Sequence, residues 1–142
     1  MKTSPPYVLA FDCGTTGCKA ILIDTDGFIR SEATKDYPTI TLEGGFLEQD
    51  PAEWWSAVRL VTRRILKASG AKADDLLGMG FCGTMCTTLP IDRKGAPLRR
   101  AILYADTRSF AECERLKRLI SPEELYRITG NPASPVSYTH LT

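Results

Sequence analysis

The chain has 142 residues, 43% of them hydrophobic and 25% charged, and 18 basic against 17 acidic side chains leave a formal net charge of +1. This length fits one domain burying about two thirds of its unfolded surface, and the balanced charge gives no basic face for a nucleic acid or an anionic membrane. No apolar run approaches spanning length and Met1 to Pro6 lacks the hydrophobic stretch of a signal peptide, so the expected compartment is the cytoplasm.

After a polar leader, Tyr7 to Phe11 reads as a buried strand, short and rich in bulky apolar residues. It delivers Asp12-Cys13-Gly14-Thr15-Thr16-Gly17-Cys18-Lys19, a loop of glycines and hydroxyls behind one acid. Gly14 and Gly17 can take backbone angles closed to other residues, which would converge their amides into a nest for phosphate oxygens. Thr15 and Thr16 add hydroxyl donors, Lys19 adds a point charge, and Asp12 at the strand end suits Mg²⁺ held through its water shell. The plainer alternative at this point is a tight turn with a solvated aspartate.

Ala20 to Ile23 forms a second strand, Asp26-Gly27 a two-residue turn, and Phe28-Ile29-Arg30 starts a third strand pairing back on the second. The anion loop therefore joins two strands, which argues against a Walker loop or a dinucleotide fingerprint, both of which open a helix. Glu43 to Gln49 reads as a glycine-containing loop. Asp50-Pro51-Ala52-Glu53 then announces a helix with Trp54, Trp55, Val58, Val61, Ile65 and Leu66 at apolar spacing, ended by Ser69-Gly70.

Asp74-Asp75 starts a short turn, and Leu77 to Cys82 reads as the next buried strand, running into Gly83-Thr84-Met85-Cys86-Thr87. Ala101 to Tyr104 is a further apolar segment ending at Asp106-Thr107-Arg108. A helix is expected over about 109–120 with Phe110, Cys113, Leu116 and Ile120 inward, and Ser121-Pro122-Glu123-Glu124 caps a short one that Gly130-Asn131 ends. Cys13, Cys18, Cys82, Cys86 and Cys113 are an odd set without C-x-x-C spacing or a nearby histidine, which favours free thiols acting as small hydrophobes over metal ligands. This order of elements predicts an α/β fold with a mixed sheet and flanking helices.

The motifs together resemble the N-terminal domain of FGGY-family carbohydrate kinases, relatives of xylulokinase and glycerol kinase. Asp12 to Lys19 resembles the first phosphate loop of that family, Phe46 to Trp55 the segment before its first long helix, and Tyr104-Ala105-Asp106-Thr107-Arg108 its aromatic-x-Asp-x-Arg segment. The resemblance implies a ribonuclease H-like (actin-like ATPase) domain over residues 1–133, an incomplete one. It also implies ATP and Mg²⁺ as cofactors and phosphorylation of a sugar or polyol hydroxyl in a cleft between two actin-like domains.

In that family the base is an aspartate beyond this domain. No catalytic residue is therefore expected in this chain, a missing C-terminal domain is its expected partner, and these residues alone should bind ATP weakly and not turn over. Asp12, Gly14, Thr15, Thr16, Gly17 and Lys19 would face the nucleotide, with Asp12 toward the metal. Met85, Cys86, Tyr104 and Asp106 would lie on the substrate side. Met85 and Cys86 stand where glycerol kinases carry arginine and glutamate and xylulokinases methionine and histidine, which argues against glycerol and leaves xylulose open. Asp106 and Arg108 have the alternative of a structural ion pair.

From Ser134 to Thr142, including the lone His140, no period can be placed, and a foreign or truncated tail is the preferred reading. Two further readings are an actin-superfamily ATPase activator carrying an iron–sulfur cluster and a non-catalytic nucleotide-binding module. Homo-oligomer formation by the full-length protein stays open.

Overall fold

In a computed structural model, residues 6–132 and 134 are described, so the expectations for the tail, His140 included, fall outside the described residues. The chain divides into two compact units. One takes the residues up to Pro38 with Ala52–Thr84, the other Thr39–Pro51 with the residues from Met85 onward. Among the described residues no helix is long and apolar enough to cross a membrane.

The first unit is built on strands β1 (Tyr7–Cys13), β2 (Gly17–Asp24), β3 (Ile29–Asp36) and β6 (Leu76–Gly83), which lie in the order β3-β2-β1-β6. β1–β2 and β2–β3 are antiparallel hairpins, whereas β1 and β6 run parallel, giving the expected mixed sheet. Gly27 closes the second hairpin with φ of 87°. The Asp24 carboxylate organises that turn by accepting the Asp26 and Phe28 amides at 3.0 and 2.9 Å and pairing with Arg30.

A parallel β1–β6 pair needs a crossover, and helix α1 (Pro51–Ser69) precedes β6 as the sequence predicts. Its Ala57, Val58, Val61 and Ile65 close a core with Leu9, Phe11, Cys18, Ala20, Leu22 and Tyr37. Alternation along β1 and β2 puts those strand residues on one face. Gly70, with φ of 72°, ends the helix by donating its amide to Leu66 O.

Two expectations about this unit fail. Leu77 to Cys82 forms a strand, as read, but not a buried one, because β6 lies at the edge of the sheet and Leu77, Met79 and Phe81 are 60–66% exposed. Trp55 is likewise exposed, on the outer side of α1, while its neighbour Trp54 packs against the core.

The second unit contains the small antiparallel sheet β4-β5-β7, formed by β4 (Ile40–Leu42), β5 (Phe46–Gln49) and β7 (Ala101–Ile102). Residues Glu43 to Gln49, expected as one loop, are a short 3₁₀ turn over Glu43–Gly45 followed by β5. Helices α2 (Phe110–Leu119) and α3 (Pro122–Thr129) follow. Cys113 of α2 is buried, but Phe110, expected on the inner face, is exposed. Ser121 caps α3 by accepting the Glu124 amide at 3.1 Å, and left-handed Gly130 ends it, as the capping signals predict.

Candidate active site

β1 and β2 are in register from Tyr7↔Asp24 to Cys13↔Cys18, so the expected loop is much shorter than the motif. Asp12 and Lys19 are directly opposed strand residues, and the Gly14 amide donates to Gly17 O at 3.0 Å, leaving Thr15 and Thr16 as a two-residue tip. The glycines are not there for left-handed angles, since neither has a positive φ. Gly17 is required by proximity instead: a Cβ there would sit 2.8 Å from Lys35 O and from Asp36 Oδ1 of β3. The Gly14 amide is spent inside the turn.

Contacts from Tyr37 and Thr84 fix this hairpin. The Tyr37 hydroxyl donates to Gly14 O, and the Tyr37 amide to Thr16 O at 3.2 Å. From the end of β6, the Thr84 amide donates to Cys13 O at 3.0 Å, and its hydroxyl lies 3.4 Å from that of Thr15. Burial, with neighbouring Cys13, Cys18 and Asp12, pushes the Tyr37 phenol up to about 12, so it remains a neutral donor. Neither Tyr37 nor Thr84 had a role in the sequence reading; a hydroxyl directly after a strand-end glycine was the available signal for Thr84.

Asp12 and Lys19 are both exposed, on the sheet face opposite the core. They border a hollow of about 200 Å³ with Ala10, Phe11, Ala20 and Ile21. That is below the roughly 300–1,000 Å³ of a pocket enclosing a small molecule. The face presents a carboxylate and an ammonium but encloses nothing. The Cys82 thiol lies 3.8 Å from Asp12 Oδ1 on the same face. Cys13 and Cys18 point the other way, into the core, with sulfurs 3.9 Å apart, and burial pushes the Cys18 thiol up to about 12.

The expected substrate-side residues all belong to the second unit. Met85 is exposed, Tyr104 is partly exposed, and Cys86 adopts a left-handed backbone with φ of 60°, a conformation rare outside glycine, asparagine and aspartate. Asp106 is fully buried. Its Oδ2 accepts the Leu47 amide at 2.6 Å and an Arg108 Nη at 2.9 Å, while its Oδ1 accepts the Arg108 amide at 2.9 Å and Nε at 2.8 Å. Four bonds match the roughly four acceptor sites of a carboxylate.

Despite burial, the Arg108 guanidinium and these amides hold Asp106 below the usual carboxylate range. Arg108 also reaches Glu48 at 2.9 Å and stacks 4.8 Å over the Phe46 ring, and Arg99 pairs with the same Glu48 oxygen. This acid–base cluster was missed at Glu48 and Arg99. It joins β5 to the segment entering α2.

The model for the FGGY family of carbohydrate kinases, N-terminal domain, matches residues 7–141. Glycerol kinase of Trichlorobacter lovleyi is 38% identical over 114 residues, covering 80% of this chain and 23% of that enzyme. Xylulose kinase of Bacillus subtilis is 32% identical over 125 residues, covering 88% of this chain and 25% of that enzyme. Among solved structures, xylulose kinase from Rhodospirillum rubrum superposes with a TM-score of 0.82 at 27% identity, over 90% of this chain and 26% of that one. The chain thus spans about a quarter of the length of these relatives. It belongs to the FGGY family of carbohydrate kinases and has the actin-like fold of that family.

Proposed function

From that membership we propose that the chain is the N-terminal part of an ATP-dependent sugar or polyol kinase and supplies its phosphate-binding hairpin. The observation that carries this reading is the register of β1 and β2: it sets Asp12 and Lys19 side by side on one open face, behind the hydroxyl-bearing tip Thr15-Thr16.

The donor set fits the groups proposed to bind. One exposed carboxylate suits Mg²⁺, which keeps most of its waters and takes few protein ligands, so Asp12 would hold the ion through its water shell. Thr15 and Thr16 would donate to phosphate oxygens, and Lys19 would neutralise them as a point charge. Gly14 and Gly17 shape the turn rather than donate. When bound, Mg–ATP supplies the phosphoryl group that is transferred. Transfer of this kind depends on positioning and on balancing the spreading negative charge, which the carboxylate, hydroxyls and ammonium of the hairpin would supply.

On the substrate side, Met85, Cys86 and Tyr104 would contact the sugar or polyol, and Asp106 would position Arg108 and β5 from within. The base that takes the hydroxyl proton is assigned to the part of the enzyme outside this quarter. The test is ADP release by the full-length protein with ATP, Mg²⁺ and a panel of pentoses, ketoses and polyols including glycerol. At least one sugar should stimulate release, glycerol should not be the best acceptor, and the 142-residue chain alone should show none. Turnover by the isolated chain, or no stimulation by any acceptor, would overturn the proposal.

A further inference from the structure

We propose that Cys13 and Cys18 form a reversible intramolecular disulfide that clasps the base of the Thr15-Thr16 hairpin when the protein meets a small oxidant such as hydrogen peroxide. The inference stands on strand register. The Gly14 amide donates to Gly17 O, which makes theirs a hydrogen-bonded position, and positions alternate along an antiparallel ladder, so the next pair down, Cys13↔Cys18, is a non-hydrogen-bonded one. In such pairs the Cα atoms lie about 4.5 Å apart and the side chains approach most closely, within the roughly 4.4–6.8 Å window that a disulfide spans.

The sulfurs already stand 3.9 Å apart. Bond formation requires them to close to about 2.04 Å, a movement within reach of two χ1 adjustments across a hairpin. No other thiol of this unit competes. Cys82 lies one residue out of register, on the opposite face beside Asp12. Cys13 is partly exposed and Cys18 fully buried, so Cys13 is the entry point.

The reaction balances with peroxide as the two-electron oxidant. The Cys13 sulfur attacks one peroxide oxygen, the O–O bond breaks, and the thiol proton leaves with hydroxide as water, giving a sulfenic acid. The Cys18 sulfur then attacks the Cys13 sulfur, the S–O bond breaks, and the second thiol proton leaves with that hydroxide as a second water. Two thiols are oxidised to one disulfide as peroxide is reduced. The clasp ties together the strands that carry Asp12 and Lys19, one register step away. Its formation does not depend on the nucleotide reading, so the two proposals fail separately.

The test is mass spectrometry on the purified chain, treated with peroxide, quenched with an alkylating agent and digested. The expected product has lost two hydrogens, carries its dominant link between Cys13 and Cys18, and returns to the dithiol with dithiothreitol. Cys18→Ser should remove the link and let Cys13 proceed to sulfinic acid, whereas Cys82→Ser should leave the link intact. A link made chiefly through Cys82, or sulfinic acid at Cys13 of the wild-type chain without a link, overturns the proposal. So does an oxidised chain that melts below the reduced one, because a clasp in native register does not strain the sheet.

Discussion

Gly14 and Gly17 read alike in the motif and differ in what surrounds them. A methyl group at Gly17 would have to displace the β3 backbone, 2.8 Å away at Lys35 O and 2.9 Å at Asp36 Cα. At Gly14 nothing lies nearer than 3.7 Å. Gly17→Ala should therefore destabilise the fold by about 1–3 kcal/mol, the usual range for overpacking, and Gly14→Ala by less than about 0.5 kcal/mol. Urea denaturation of the two variants checks this, and equal losses would show that the approach of the β3 backbone is not what makes position 17 glycine. Asp12 is the converse case. Its carboxylate is exposed, so in the full-length protein Asp12→Ala should leave the melting temperature nearly unchanged while lowering sugar-dependent ADP release at least about a hundredfold, the scale of losing one electrostatic group at a reacting centre. Unfolding in step with activity would instead assign Asp12 a structural role.

At the scale of elements, the second unit depends on one cluster. β5 is only four residues long, and its inner pair, Glu48 and Gln49, is polar yet buried. It is held by pairing to β4 and β7 and by the Glu48–Arg108–Asp106 network rather than by apolar packing. That is why its sequence resembles a loop: hydrophobic alternation marks strands whose burial is apolar, and ion pairs between residues 48, 99 and 108 leave no local period. The capping signals of α1 and α3 and the turn at Asp26-Gly27 were readable because their causes lie within four residues. The contacts of Thr84 and Tyr37 come from distant chain and were not.

Arg108→Ala would leave two carboxylates without their shared cation and should destabilise by about 3 kcal/mol. The Asp106 carboxyl is held below its unfolded value of 3.8, so its contribution is complete above that value and is lost as pH falls through and below it. Denaturant midpoints measured between about pH 6 and pH 3 should fall more steeply for the wild type than for Asp106→Asn. Parallel curves would remove Asp106 from that role.

For the chain as a whole, the largest unbalanced feature is the open edge of the first sheet. β6 has an unpaired side among the described residues, and Leu77, Met79 and Phe81 are 60–66% exposed, with Phe81 stacked on Phe11 at 4.5 Å. An exposed apolar edge strand is a template for pairing with another chain, since it offers both free backbone donors and apolar side chains. The apolar run from Leu77 to Phe81 resembles a core strand in sequence because composition cannot tell an edge from a centre. In solution the 142-residue chain should therefore self-associate in a concentration-dependent way. Met79→Lys puts a charge on that edge at a position more than half exposed, where a lysine keeps its ammonium in water. Light scattering should drop several-fold in this variant with the melting temperature held within a few degrees, because no buried contact is removed. Association that persists unchanged in Met79→Lys would place its cause elsewhere, the exposed Trp55 on α1 being the next surface to replace.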